Sequence, residues 1–337
     1  MALRHYIALI VLAIGATVGW FFPGGIDPQF ALDANNILLI LLLFLLSSQF
    51  DITAWTKSYT QGLKFISLFI ISSAIILTAF SNLIMGIPIF ESIILSVLLC
   101  STASWRDEDG PESHLSTPIV FILAYILIAV HRTRVVEAFG WSIQSIQFLQ
   151  EVIVPIFIGL LIGLFMSGFM RKHFHKMKLL LSIAAAFVAW LLSTMLGGNG
   201  FLAVIVAAVS FGPFFVHHKN ITSEFLREIL LMTATVTFFL LGYASNLPWH
   251  PDFMIRSLML FAILMLIRFS VSATIYKMRP KQALLNTFKT PLSSALIPIA
   301  IIFIASLRFA FMASGYVIFA LVIYSSIASL IACFYKS

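Results

Sequence analysis

Apolar runs of about 20 residues recur along the whole chain, and this feature limits the possible folds more than any other. Runs such as NILLILLLFLL and LMLFAILMLI contain no charged residue. In a bilayer only helices or closed barrels satisfy all their backbone hydrogen bonds. Barrel strands would give alternating segments of about 10 residues. The sequence therefore predicts an all-α polytopic membrane protein.

The composition argues against a soluble enzyme. Hydrophobic residues make up 61% of the chain and charged residues only 10%, whereas an ordinary globular domain carries about 25% charged residues. The formal charge of +7 is spread over short loops without interleaved aromatic residues, so no nucleic-acid partner is predicted. No Ser-His-Asp set or pair of catalytic acids is present in a credible arrangement. We expect no enzymatic activity, no cofactor and no metal site.

Polar breaks between the apolar runs divide the chain into twelve predicted helices within a single transmembrane domain, residues 1–337. These helices lie near residues 6–23, 34–50, 63–86, 90–104, 112–131, 149–170, 178–196, 199–217, 225–246, 252–276, 283–306 and 310–334. Lys and Arg are concentrated in the loops of one side, and few fall on the other. Because positive residues favour the cytoplasmic side, both termini are predicted to be cytoplasmic in a multi-pass inner-membrane protein.

Two segments break the apolar pattern with polar residues and prolines. The first is LLCSTASWRDEDGPESHLSTPIVF and the second is TFKTPLSSALIPIAIIFIA. The first segment spans the end of the fourth predicted helix and the start of the fifth, and the second lies in the eleventh. The fourth and eleventh helices occupy corresponding positions in the two halves of the chain. Discontinuous helices in such positions are typical of inverted-repeat transporters. The alternatives are a simple re-entry loop, whose hydroxyls bond backbone carbonyls, and a structural proline kink.

Arg268 lies well inside an apolar run, so it needs a partner or a wet cavity. By residue type the candidate partners are Glu112, Glu228 and Asp51. The other acidic residues, Glu151 among them, are predicted at helix edges or in loops. No carboxylate falls clearly in the middle of a predicted helix.

Several stretches, in the right order, resemble the potassium/proton exchanger-like branch of the cation/proton antiporter superfamily. They are GGNGFLAVIVAAVSFGP, FFLLGYASNLPW, FLQEVIVPIFIGLLIGLFMSG and ILLILLLFLLSSQFDI. The resemblance implies two inverted repeats with crossed discontinuous helices. It also implies a homodimer that works by an elevator-like motion.

The motif residues of that family are only partly present. ESHLSTP aligns with the motif Glu-Ser-x-x-Asn-Asp-Pro, which places Glu112 on the motif Glu and Thr117 on the ion-binding Asp. In CSTAS, Ala103 stands where the family has another Asp. Arg268 matches an Arg that pairs with the motif Glu in relatives, so the resemblance favours Glu112 as its partner.

These observations predict antiport of a monovalent cation (K⁺ or Na⁺) and protons across the inner membrane, with the lipid bilayer and a second copy as partners. Glu112 and Arg268 would form a buried ion pair. The candidate ion-binding residues are Thr102, Ser104, Ser116, Thr117, Ser293 and Ser294. One alternative is a transport-inactive homologue that acts as a membrane interaction or regulatory subunit. Another is a transporter or channel for a different solute without proton coupling.

Overall fold

A computed structural model describes most of the first five-sixths of the chain and scattered positions beyond it. The described residues are 2–21, 27–48, 57–100, 119–128, 141–172, 178–216 and 250–277, together with positions 232, 235–236, 239–240, 242–243, 283–284, 287, 316–317, 320–321, 323–325 and 327–328. Helices joined by short turns account for these ranges, and no strand occurs in them.

The continuous helices follow the predicted order. They are α1 (Ala2–Phe21), α2 (Pro28–Ser48), α3 (Lys57–Met85), α4 (Ile89–Leu99), α5 (Ile119–Ile128), α6 (Trp141–Lys172), α7 (Lys178–Met195), α8 (Gly200–Val216) and α9 (Pro251–Tyr276). Within the described ranges, Gly62–Met85, Gln150–Phe169 and Pro251–Tyr276 are long and apolar enough to cross a membrane. The apolar helices make this a multi-pass membrane protein.

Four helices begin several residues earlier than the sequence predicts. The predicted starts of α1, α2, α3 and α6 are residues 6, 34, 63 and 149, but these helices begin at Ala2, Pro28, Lys57 and Trp141. The prediction followed hydropathy, which detects only the part of a helix that lies in hydrocarbon. Polar residues outside that layer continue the helix, since nothing in these segments breaks it.

The described residues divide into two compact units. The first unit comprises residues 1–36, 57–116 and 234–337, and the second comprises 37–56 and 117–233. The single transmembrane domain stays a prediction.

In the first unit, α3 and α4 form an antiparallel pair joined through buried hydroxyl groups. Thr78 Oγ1 lies 3.1 Å from Ser96 Oγ, and Ser96 Oγ donates to Ser92 O over 2.6 Å. Asn82 Nδ2 donates to Ile87 O in the connecting turn over 2.8 Å. Cys100 is a buried thiol that donates to Ser96 O over 3.2 Å. Each of these four groups finds a partner within the helix pair, as burial favours.

α9 packs against α3 in the opposite direction. Near the C-terminal end of α3, Arg256 Nη1 donates to Ile84 O over 3.3 Å. At the other end of the pair, the rings of Phe65 and Tyr276 lie 5.7 Å apart. A cation is favourable at a helix C-terminus because carbonyls there have no partner within the helix. This contact gives a structural reason for placing Arg256 on the side of the membrane where the sequence predicts few positive residues.

Two glycines of α1 allow a close parallel approach to the helical residues near position 240. A Cβ at Gly15 would press on the Phe239 carbonyl, and one at Gly19 would press on the Tyr243 carbonyl. Small residues spaced by four let helix backbones meet directly, which is a common packing mode in membranes.

In the second unit, α6, α7 and α8 form a bundle built on small residues. A Cβ at Gly159 would lie 2.6 Å from Ala203 O, and one at Gly163 would press on Ser210 Oγ. The buried centre of this bundle is formed by Ile158, Ile162, Ala185, Ala189, Ala203 and Ala207. Glycine and alanine bring the helices close enough for dispersion contacts along their length.

The sequence GGNG forms a tight turn between α7 and α8, as predicted. Gly197 has a φ of 75°, and Gly198 N donates to Ser193 O over 2.9 Å to close the end of α7. Asn199 Oδ1 accepts from Leu202 N over 3.0 Å and caps the start of α8. A left-handed residue after a helix and an Asn cap before the next are standard solutions for unpaired helix-end groups.

We expect Gly197→Ala to destabilise the protein by roughly 1–3 kcal/mol. An alanine there meets a left-handed backbone and a Cβ position 2.9 Å from Gln150 Nε2. The matched control is Gly86→Ala, because Gly86 has a φ of 68° but nothing within 4 Å. Thermal unfolding in detergent should show a smaller loss for Gly86→Ala. Equal losses would mean that Gln150 does not constrain the turn.

Candidate transport site

Arg268 lies on the buried face of α9. It is 1% exposed and is the largest fully buried side chain among the described residues. Its neighbours on the same face of the helix include the apolar Leu264 and Val271 and the hydroxyl residue Ser272, all of them buried. Burying a guanidinium is costly unless its surroundings compensate the charge, and Arg268 does take part in interactions within the structure.

The residues predicted to act with Arg268 lie outside the described part of the chain. This holds for the three candidate partners, Glu112, Glu228 and Asp51, so the ion pair with Glu112 stays a prediction. It also holds for all the candidate ion-binding residues: Thr102, Ser104, Ser116, Thr117, Ser293 and Ser294.

Along the chain, described helices precede and follow the first of these polar segments. α4 with Cys100 ends two residues before Thr102, and α5 begins two residues after Thr117. α4 is buried along most of its length, from Ile94 to Leu99. Within the described ranges, no group of three or more His, Cys, Asp or Glu side chains could hold a metal ion.

One carboxylate is placed differently from the prediction. Glu151 was assigned to a helix edge, but α6 begins at Trp141, so Glu151 lies in its third turn. The side chain is half-buried, and Tyr125 OH donates to Glu151 Oε2 over 3.4 Å. The prediction failed because WSIQSIQF is too polar to resemble a membrane span. This stretch contains no Gly or Pro, and Ile143, Ile146 and the following Leu149 recur at three-residue spacing, which is a helix signal that hydropathy ignores.

Comparison with known proteins assigns a family. The sequence pattern of the family described as "Sodium/hydrogen exchanger, transmembrane" matches residues 112–334, well over half of the chain. The chain belongs to the sodium/hydrogen exchanger family. The resemblance to the cation/proton antiporter superfamily is thereby confirmed. No curated protein sequence matches the exchanger significantly.

A solved structure supports the same fold. The exchanger is similar to the sodium proton antiporter MjNhaP1 from Methanocaldococcus jannaschii, determined at pH 8, with a TM-score of 0.72 and 16% sequence identity. The similarity covers 95% of this chain and 91% of that one. The all-helical antiporter fold class is confirmed.

The range matched by the family pattern includes some of the predicted site residues and not others. The matched range begins at Glu112 and includes Arg268, Ser293 and Ser294. Thr102 precedes it, as does Ser104. Their assignment rests on the polar break in the apolar pattern and on the resemblance of CSTAS.

Proposed function

We propose that this exchanger transports a monovalent cation, Na⁺ or K⁺, in exchange for protons across the inner membrane, and that it is not an enzyme. The observation that carries the proposal is the family match over residues 112–334. A buried Arg268 within that range adds support, because a costly intramembrane cation is typical of functional sites.

The proposed cation site uses hydroxyl groups and helix-end carbonyls. Such oxygens replace the hydration shell of an alkali cation where helices are discontinuous. The site would comprise Thr102, Ser104, Ser116 and Thr117, with Ser293 and Ser294 opposite them. Both helix interruptions would contribute in this arrangement.

Proton coupling needs a separate group. Hydroxyl side chains do not release a proton near neutral pH, and the positions of the two motif Asp residues hold Ala103 and Thr117. We assign the proton to Glu112, whose carboxylate would pair with Arg268. Proton binding to Glu112 would then compete with that pairing and alter the site electrostatically.

The proposal extends to orientation and assembly. The Lys and Arg distribution supports cytoplasmic termini, with the lipid bilayer around the apolar helices. The family resemblance supports a homodimer. Similarity to a structure that is named as a sodium proton antiporter favours Na⁺, whereas the sequence motifs favour K⁺.

A second candidate function is a transport-inactive homologue that serves as a membrane interaction or regulatory subunit. The absence of acids at Ala103 and Thr117 favours it specifically. A third candidate, which binds another solute at the hydroxyl groups without moving protons, follows from the same loss.

Proton flux in proteoliposomes tests the proposal. Purified protein is reconstituted with a pH-sensitive dye, and Na⁺ or K⁺ is added between about pH 6 and 9. We expect a cation-triggered pH change for the parent, and only the background of empty liposomes for Glu112→Gln, because an amide cannot carry the proton. The matched control is Asp252→Asn, an exposed acid in the first turn of α9, which should behave like the parent.

The other outcomes discriminate between the candidates. If correctly inserted parent protein gives no pH change with either cation, the antiport proposal fails. Binding of a solute without any pH change would then favour the third candidate. A parent response that survives in Glu112→Gln would place the proton on another group.

A further inference from the structure

The contact between Tyr125 and Glu151 joins two helices of the second unit. The phenol of Tyr125 on α5 donates to the carboxylate of Glu151 on α6 over 3.4 Å. Both side chains are half-buried. Hydrogen bonds that involve a charged acceptor are stronger than neutral ones, but this oxygen–oxygen distance is longer than the roughly 2.5–3.0 Å that is usual for O–H···O bonds.

Glu151 stands on a firmly held part of α6. The preceding residue, Gln150, donates from Nε2 to Leu196 O over 2.9 Å. Asn199 N donates to the backbone carbonyl of Glu151 over 3.4 Å. The turn between α7 and α8 is therefore attached to α6 at Gln150 and Glu151, which fixes the backbone from which the Glu151 carboxylate extends.

A second contact holds α5 in the same place. The rings of Phe121 and Phe201 meet edge to face with centroids 6.5 Å apart, and Phe121 is buried. Such aromatic pairs contribute beyond the area that they bury. Phe121 and Tyr125 are one turn apart on the same side of α5, and this side contacts both α8 and α6.

The position of α5 matters because of what precedes it in the chain. ESHLSTP runs directly into α5, and Thr117 stands two residues before its first residue, Ile119. A helix transmits its placement along its axis, since its backbone hydrogen bonds make it stiff. α5 is thus the described helix that adjoins, in the sequence, a residue of the proposed cation site.

We propose that Tyr125 and Glu151 are positioning residues for the cation site, acting by holding α5 on the bundle of α6, α7 and α8. The inference rests on the proposed antiport function. Glu151 takes part as a hydrogen-bond acceptor rather than as a proton carrier. Its hydrogen bond to Tyr125 holds α5, which begins two residues after Thr117, on the bundle.

Three substitutions separate positioning from a role of the charge. Tyr125→Phe removes the donor and keeps the ring. Glu151→Ala removes the acceptor, whereas Glu151→Gln keeps an acceptor oxygen without the charge. Tyr324→Phe is the matched control, since Tyr324 OH bonds Ser257 and Met254 in the first unit.

Cation-dependent flux gives the first readout. We expect Tyr125→Phe and Glu151→Ala to raise the apparent KM for the cation by roughly three- to tenfold, with little change in the maximal rate, because binding alone is impaired. Glu151→Gln should restore most of the affinity, and the pH profile should stay in place. Tyr324→Phe should leave KM unchanged. Equal impairment of Glu151→Gln and Glu151→Ala, with a shifted pH profile, would overturn the positioning role.

Hydrogen–deuterium exchange of residues 119–128 gives a second readout that does not need transport. Both Tyr125→Phe and Glu151→Ala should increase exchange there, and Tyr324→Phe should not. Unchanged exchange in both variants overturns the inference, whatever the flux. A parent protein without flux overturns the proposed function instead, and increased exchange would then support only the attachment of α5.

Discussion

Arg268→Ala is expected to destabilise the exchanger by about 3–5 kcal/mol and to abolish cation-dependent proton flux. The guanidinium is 1% exposed in α9 and takes part in interactions there. The substitution removes a large buried side chain, and it leaves the groups that interact with the guanidinium without their partner. Both effects lower the stability of the folded protein. Thermal unfolding in detergent measures the stability, and the proteoliposome assay measures the flux.

The control for this substitution lies on the same helix. Arg256 is exposed, and its single described hydrogen bond reaches Ile84 O over 3.3 Å. Exposed charged contacts contribute little, so Arg256→Ala should change stability by no more than about 1 kcal/mol. Arg268→Lys, which keeps the charge but loses the planar fork, should fall between the parent and Arg268→Ala. Normal stability and flux in Arg268→Ala would show that the buried cation serves neither fold nor transport.

The double substitution Gly159→Ala/Gly163→Ala is expected to destabilise the protein by roughly 2–6 kcal/mol, since overpacking costs about 1–3 kcal/mol at each site. A Cβ at Gly159 would lie 2.7 Å from the Val206 Cβ as well as close to the Ala203 carbonyl. The helices α6 and α8 would have to separate, and the dispersion contacts of the bundle would weaken along their length. Unfolding temperatures of the purified variants test this expectation.

Gly168→Ala is the matched control because it lies on the same helix with nothing within 4 Å of its Cβ position. Alanine is the better helix former by up to about 1 kcal/mol, so this variant should be as stable as the parent or more stable. The sign of the effect should therefore differ between two glycine sites on one helix. A loss for Gly168→Ala as large as that for the double variant would contradict the packing explanation.

Much of the fold could be predicted from the sequence because the signals for it are local. Twenty apolar residues predict a spanning helix whatever surrounds them, and α7, α8 and α9 begin and end within one or two residues of the predictions. The GGNG turn was predicted on the same basis, since Gly197 readily adopts positive φ. The family was recognisable from short stretches in the right order.

The candidate site could be predicted only as residue types at positions in the chain. Arg268 stood out because an Arg in an apolar run is rare. Glu151 was missed because its helix begins in a polar segment, beyond the reach of a hydropathy argument. The pairing of Glu112 with Arg268 stays a prediction.

The sequence by itself determined the helical class of the described part of the chain, the order of its helices and the family of the protein. Only the tertiary structure decided which face of each helix is buried, because lipid is as apolar as the protein interior and the residue pattern does not distinguish them. On α9, for example, Leu264 is 3% exposed and Leu266 is 65% exposed. For the same reason the sequence could not predict three contacts that the structure shows. They are those of Tyr125 with Glu151, of Gly159 with α8 and of Arg256 with α3. They depend on how helices distant in sequence approach each other.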